Sequence, residues 1–155
     1  MDFQTPPKVC DYMVNMIPFT SNCSILEPTP GQGNIVKSLQ KYNFDNIIAP
    51  DNFWDLSKDN RYDCVVMNPP FTPMKTGYEI LYRCMDMSDN IIALMPWLTI
   101  INGEKRTKDI MNFGLKSVTH LPRKVFNGSR VQCCILEMSR GVGWNYQTIF
   151  KTFEL

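Results

Sequence analysis

Apolar residues recur three and four positions apart over residues 7–17 and 35–41, the spacing of helices that bury one face. Pro6 and Pro7 suit the opening of the first of these, because a helix start leaves its first N–H groups unpaired anyway. Between and after the helices lie short apolar runs at residues 24–26, 47–49 (stopped by Pro50), 62–67 and 91–98. Unbroken apolar runs of this length suit strands covered on both faces, as in a parallel sheet. Residues 77–87 and 107–113 read as two further helices. Beyond residue 116 the pattern changes to strands at 117–121 and 131–138, with NGS at 127–129 as their turn and residues 146–153 as another strand candidate. Strands alternating with helices across short connections predict an α/β fold: an open, mostly parallel sheet finished by a C-terminal antiparallel hairpin.

At 155 residues the chain is expected to form one domain, residues 1–155, with a core large enough to need no staples. No run of eighteen apolar residues occurs, and the most apolar stretch, 91–101, is interrupted by Pro96. The opening MDFQTPPKVC has an early acid and two prolines, unlike a signal peptide, so a cytoplasmic protein away from membranes is expected. Six cysteines and the lone His120 contain no C-x-x-C pair and no zinc-ligand spacing. They read as reduced structural thiols, His120 as structural or surface, and no metal is expected. Trp97 and Trp144 read as packing residues.

Net charge is only +1, yet residues 1–103 balance at −4 and residues 104–140 at +5. Such asymmetry suits a polyanion meeting one face of the molecule.

Two junctions carry candidate chemistry. In EPTPGQG (residues 27–33) Gly31 permits a tight turn and Gly33 a close approach after a strand, with Glu27 at the strand's carboxyl end, where open sheets bind ligands. The third glycine of a dinucleotide fingerprint is missing, and Pro28 and Pro30 remove N–H groups that a pyrophosphate would use. An acid here suits a cationic ligand instead, such as a sulfonium cofactor with a free ammonium group. The second junction is Asn68-Pro69-Pro70-Phe71, directly after the run YDCVVM. Two prolines stiffen the backbone and cannot extend a central strand. The Asn68 side chain and the Pro69 carbonyl can offer two oxygen acceptors to one –NH2, and Phe71 a flat face for a base, worth about 1–3 kcal/mol when stacked.

EPTPGQG and NPPF together resemble the adenine-specific (N6) DNA methyltransferase family. FQTP at residues 3–6 resembles that family's cofactor segment when it precedes the glycine turn, and residues 91–98 and 119–141 resemble its last strands. The resemblance spans residues 2–142 and implies a Rossmann-like fold ending in a β-hairpin. It implies S-adenosylmethionine as cofactor, flanked by Phe3, Thr5 and Pro6, with Glu27 near its methionine moiety and Gly31 and Gly33 along its path. Asn68, Pro69, Pro70 and Phe71 become the catalytic tetrad that holds an adenine amino group.

Members of that family have two acids between the glycine turn and NPPF, on successive strands, whereas this chain has room for one strand unit there. Asp51 is expected to cover one or both roles, with Phe53 or Trp54 against the cofactor's adenine. A sheet one strand unit short in its first half, with fewer than seven strands, is expected. No separate target-recognition domain is expected either. Contacts to nucleic acid are then sought in Lys75, Lys105, Arg106, Lys108, Arg123, Lys124 and Arg130, in a partner subunit or in a homo-oligomer. Two other readings stay open at this point: the same fold methylating an amino group in RNA or a protein glutamine amide, and a non-catalytic methyltransferase-like partner subunit.

Overall fold

Pro7 opens the first helix, α1 (Pro7–Val14), and Val9, Cys10, Met13 and Val14 form its buried stripe. The computed structural model describes residues 4–126, 131–142 and 147–154, so Phe3, Arg130, Trp144 and the turn sought at 127–129 lie outside the described residues. After α1 come β1 (Ile25–Leu26), α2 (Asn34–Lys41), β2 (Ile47–Ile48) and β3 (Cys64–Met67). Then follow α3 (Met74–Met87), β4 (Asn90–Pro96), the short α4 (Leu98–Ile101) and α5 (Glu104–Phe113). The chain ends in β5 (Leu115–Leu121), β6 (Cys133–Ser139) and β7 (Ile149–Thr152).

Among the described residues the strands form one sheet in the order β2-β1-β3-β4-β6-β5-β7. β2, β1, β3 and β4 run parallel, while β6 lies antiparallel to both β4 and β5. This is the mostly parallel sheet with a C-terminal antiparallel hairpin that the pattern predicts, and the first half does hold a single strand unit, β2, between α2 and β3. The expectation of fewer than seven strands is corrected. The sheet has seven because β7 adds parallel to β5 at the opposite edge, pairing Ser117 with Ile149 and His120 with Thr152.

Strand alternation divides the core into two layers. Cys64, Val66, Ile92, Leu94 and Ile135 point toward α1 and α2, and Val65, Met67, Ile91, Ala93 and Leu136 toward α3 and α5. Fully burying side chains such as Leu39 or Leu81 contributes about 1.5–3 kcal/mol each. Cys133 and Cys134 take opposite layers by the same rule, and all six cysteines are buried free thiols. Among the described residues no helix is long and apolar enough to cross a membrane, and no group of three or more His, Cys, Asp or Glu is placed to hold a metal.

Helix α1 is tied to α2 by Asp11, which accepts hydrogen bonds from Lys41 Nζ (2.7 Å) and Ser38 Oγ (2.6 Å). Those partners hold its carboxyl below the usual carboxylate range. His120 Nδ1 accepts from Trp97 Nε1 at 3.0 Å, a structural role for that histidine.

Arg106, expected on a nucleic-acid-facing patch, turns inward instead. Its guanidinium donates to the carbonyls of Thr99 (2.8 Å), Leu98 (3.0 Å) and Asn102 (2.6 Å) and stacks on Tyr78, 3.8 Å from the ring centre. The Leu98 carbonyl already accepts from the Asn102 N–H, but the carbonyls past it have no further helical turn to bond, and a nearby cation satisfies them. Lys105 and Lys108 stay exposed but pair with Asp109 and Glu104. Arg106→Ala should therefore destabilise the protein by about 2 kcal/mol in urea unfolding. Lys105→Ala, which removes a surface pair with Asp109 and a 5.8 Å contact with the Tyr82 ring, should stay within about 0.5 kcal/mol.

Candidate functional site

Because β1, β2 and β3 run parallel, their carboxyl ends share one rim of the sheet, and the loops leaving them enclose a crevice of about 910 Å³. From β1 come Glu27 through Gly31, from β2 Pro50 and Asp51 through Trp54, and from β3 Asn68 through Thr72. Gln4 and Thr5 cross over from the segment before α1. The two junctions singled out in the sequence therefore open into the same cavity.

Glu27 is 1% exposed yet lines this cavity. Burial pushes its carboxyl up to about 8, only partly offset by the hydrogen bond that Oε1 accepts from the Thr29 N–H (2.8 Å). An acid so placed gains most when a cation joins it. Gly31 lines the cavity with φ of +54°, a left-handed conformation, and the Gln4 side chain lies over it. Gly33, also left-handed at +85°, serves as the cap of α2 and does not line the cavity. Pro6 likewise lies outside it, its carbonyl accepting the first turn of α1 from Val9 and Cys10.

Asp51 is exposed just past β2, on the cavity wall. Phe53, buried, and Trp54, 45% exposed, follow in a single 3-10 turn that Asn52 caps by accepting from the Trp54 N–H at 3.1 Å. Both aromatics line the crevice.

At the end of β3 the prolines form the expected ledge, with Pro69 buried and Phe71 half-buried. The Asn68 amide donates from Nδ2 to Thr5 Oγ1 at 2.8 Å, so its oxygen end faces away from Thr5. Helix α3 starts at Met74, a turn before the expected Gly77, because Gly77 is needed inside it. A Cβ there would lie 2.9 Å from the Pro70 carbonyl oxygen, so the bare glycine is what lets α3 close against the ledge. Alanine would gain about 1 kcal/mol of helix propensity. The clash should outweigh this, and Gly77→Ala is expected to lose about 1–2 kcal/mol net in denaturant unfolding.

Several lining residues escape sequence reading. Asn34 donates from Nδ2 to the Thr5 carbonyl (3.0 Å), and Ile80, Leu94, Phe126, Val131 and Cys133 close the far wall. Those of the far wall come from elements well beyond the motifs in sequence, as far as Cys133, and carry no local signature. Of the basic candidates, Lys75 is exposed near Glu79 (3.6 Å), and Arg123 and Lys124 are exposed on the turn that leads to Phe126.

Profiles of known protein families give no match to this chain. Over 107 residues, 60% of the chain, it is 28% identical to the type II methyltransferases M.HincII and M.HindII of Haemophilus influenzae. It spans about a fifth of the length of these curated relatives, 21% and 20%. A modification subunit assigned to a type I restriction enzyme of Vibrio vulnificus YJ016 superposes with a TM-score of 0.77 at 16% identity, over 99% of this chain and 47% of that one. A protein of Listeria monocytogenes assigned as a class I S-adenosylmethionine-dependent methyltransferase does so with a TM-score of 0.72 at 14% identity, over 97% of this chain and 65% of that one. The chain has the fold of class I S-adenosylmethionine-dependent methyltransferases.

Proposed function

We propose that this chain transfers a methyl group from S-adenosylmethionine to the N6 amino group of adenine in DNA, by direct attack. The observation that carries this reading is that the buried Glu27 carboxyl and the Asn68 amide of NPPF open into one crevice. The residues present fit the cofactor. Glu27, in no ion pair among the described residues, is an acid for its ammonium group, Asp51 an exposed carboxylate for its ribose, and Phe53 and Trp54 are flat surfaces for its adenine. Thr5 and Gly31 border the same space, while Pro6 and Gly33 set the starts of α1 and α2 on either side of it. When bound, S-adenosylmethionine supplies an electrophilic methyl carbon on a positively charged sulfur.

The chain's own residues do the rest. Asn68 and the Pro69 carbonyl accept hydrogen bonds from the target –NH2, turning its nitrogen lone pair toward the cofactor side. Phe71 stacks on the base and holds it in plane. Proton loss follows transfer, so no strong base is needed beforehand, and the rate gain comes from alignment and placed dipoles. Extruding a base from a duplex costs a few kcal/mol. Arg123, Lys124 and Lys75 offer phosphate contacts on this chain, and a partner subunit or second copy would add more. The relatives' names, type II methyltransferases and a type I modification subunit, favour DNA as acceptor.

The test is transfer of labelled methyl from S-adenosylmethionine to adenine-containing duplex DNA, single-stranded DNA and RNA, with nucleoside products separated by mass. N6-methyldeoxyadenosine is the expected product. Label found only in RNA, only in protein glutamine, or nowhere would overturn the proposal in favour of the corresponding acceptor or of a non-catalytic subunit.

A further inference from the structure

Resting on DNA as the acceptor, we infer that Trp97 and Phe150 form a stacking platform for an unpaired base that flanks the target adenine. Trp97 directly follows β4, and its indole is fixed: Nε1 donates to His120 Nδ1 of β5 at 3.0 Å. Phe150 of β7 stacks on it, with ring centres 5.6 Å apart and planes 29° from parallel. Yet Phe150 is 69% exposed, more than any other large apolar side chain among the described residues. A ring held against a fixed indole and otherwise open to solvent can take a further flat layer at little cost in side-chain freedom. Every base has a π-face, so the contact is tolerant of sequence. Inside a duplex both faces of a base are already stacked, so the platform takes an unpaired one.

The charges around the pair suit a polyanion. Residues 115–126 and 147–154 carry Lys116, Arg123, Lys124 and Lys151 against one acid, Glu154. Lys116 faces Glu137 of β6 (3.9 Å) and Lys151 lies over the Tyr12 ring (6.0 Å). Arg123 and Lys124, just past the end of β5, are exposed and make no ion pair among the described residues. The platform is also continuous with the crevice. The Trp97 N–H donates to the carbonyl of Gln132, which stands between Val131 and Cys133 of the crevice wall. The turn that holds Arg123 and Lys124 runs on to Phe126 of the same wall. From β3, which ends in the ledge, to β7 there are four strand spacings, about 19 Å. A stacked strand advances about 3.4 Å per nucleotide, so the platform meets a base within about six positions of the target.

Binding needs no methyl transfer, so the platform is tested apart from the reaction. Fluorescence anisotropy follows a labelled single DNA strand of about 24 nucleotides, its blunt duplex and its RNA counterpart with the whole chain, Phe150→Ala and Phe150→Trp. Phe150 is exposed, so its replacement leaves the core intact. Phe150→Ala should weaken single-strand binding about fivefold or more, Phe150→Trp should not, and the duplex should bind all three proteins alike. Replacing Arg123 and Lys124 together by alanine should lower the slope of log affinity against log salt by about 1.4 for the single strand. Sedimentation velocity should show one association state for the unaltered and Phe150→Ala proteins. Single-strand affinity indifferent to Phe150→Ala, an equal loss on the duplex, an unchanged salt slope, or no single-strand binding by the unaltered chain would each overturn the platform. So would an effect on the RNA strand alone, or an oligomer that Phe150→Ala takes apart, which assigns the ring to a second copy. Failure of the reaction reads differently: a chain that binds single strands through Phe150 but transfers no label keeps the platform and loses the proposed activity. Transfer to DNA with affinity indifferent to Phe150 does the reverse.

Discussion

Asn68→Ala is expected to slow methyl transfer by about 100-fold or more while leaving the cofactor dissociation constant within about threefold. The size follows from what is lost. In the proposed mechanism the amide oxygen is one of two fixed acceptors that orient the amine and stabilise the positive charge developing on its nitrogen. Removing one preorganised hydrogen-bonding group from such a site costs about 10²–10³ in rate. The loss falls on the rate constant because Glu27, Asp51 and the aromatic turn at Phe53–Asp55, which would hold the cofactor, come from β1 and β2. Asn68 is at the end of β3, and its amide donates to Thr5 Oγ1. Fold stability should change little, since Asn68 is only part-buried and β3 itself is anchored by Cys64, Val65, Val66 and Met67, all fully buried. Single-turnover transfer to a short duplex, beside calorimetric titration of the cofactor, separates the two quantities. Transfer that survives the substitution unchanged would end the mechanism proposed here.

The ledge was legible in the sequence because proline acts locally: two prolines after a buried run stop a strand whatever surrounds them. Glu27 was legible for a similar reason, as an acid at a strand end just before a glycine turn. Gly33 belonged to the same local signal, yet it caps α2 away from the cavity, because a G-x-G turn announces its backbone freedom and not the direction in which it opens. Arg106 illustrates the limit for charge. Counting basic residues between 104 and 140 suggested a polyanion face, but the count cannot tell a guanidinium that faces solvent from one that satisfies three carbonyls of its own chain. Gly77 misled in the opposite sense. The apolar spacing opened that helix at Gly77, whereas α3 begins at Met74 and holds Gly77 in its first turn, close against the Pro70 carbonyl. The far wall formed by Phe126, Val131 and Cys133 was invisible because it exists only once β6 lies beside β4. The parallel placement of β7 was likewise unreadable: an eight-residue stretch mixing apolar and polar positions signals a strand but not its neighbour or its direction.

Glu27 gives the second large effect, through its proton. With the carboxyl raised to about 8 by burial, the native chain holds a proton that the unfolded chain, at about 4.3, has already released. Between those values the native state binds more protons, so Glu27 should make stability fall as pH rises by about 1.4 kcal/mol per unit at most, a contribution complete by about pH 8, above which the six thiols, pushed up by burial, prolong the fall as those of the unfolded chain ionise. Glu27→Gln should remove that slope and be the more stable protein at pH 9 in denaturant unfolding. The exposed Asp89 and the half-buried Asp109, held low by Arg140 and Lys105 respectively, act in the opposite sense and only under acid conditions, so they leave this window clear. Cofactor binding should show the mirror image. An ammonium group beside Glu27 favours the ionised carboxyl, so binding expels the proton and affinity should rise about tenfold per pH unit below 8. An α-amino group itself loses its charge near 8, which caps the rise and bends the profile into a bell. Glu27→Gln should weaken binding by about 10- to 100-fold at the optimum, the worth of one charge-assisted contact. It should also lose the acid limb while keeping the alkaline one. Equilibrium dialysis across pH 6–9.5 reads both limbs, and an acid limb that persists in the glutamine variant would mean that some other group receives the cofactor's ammonium.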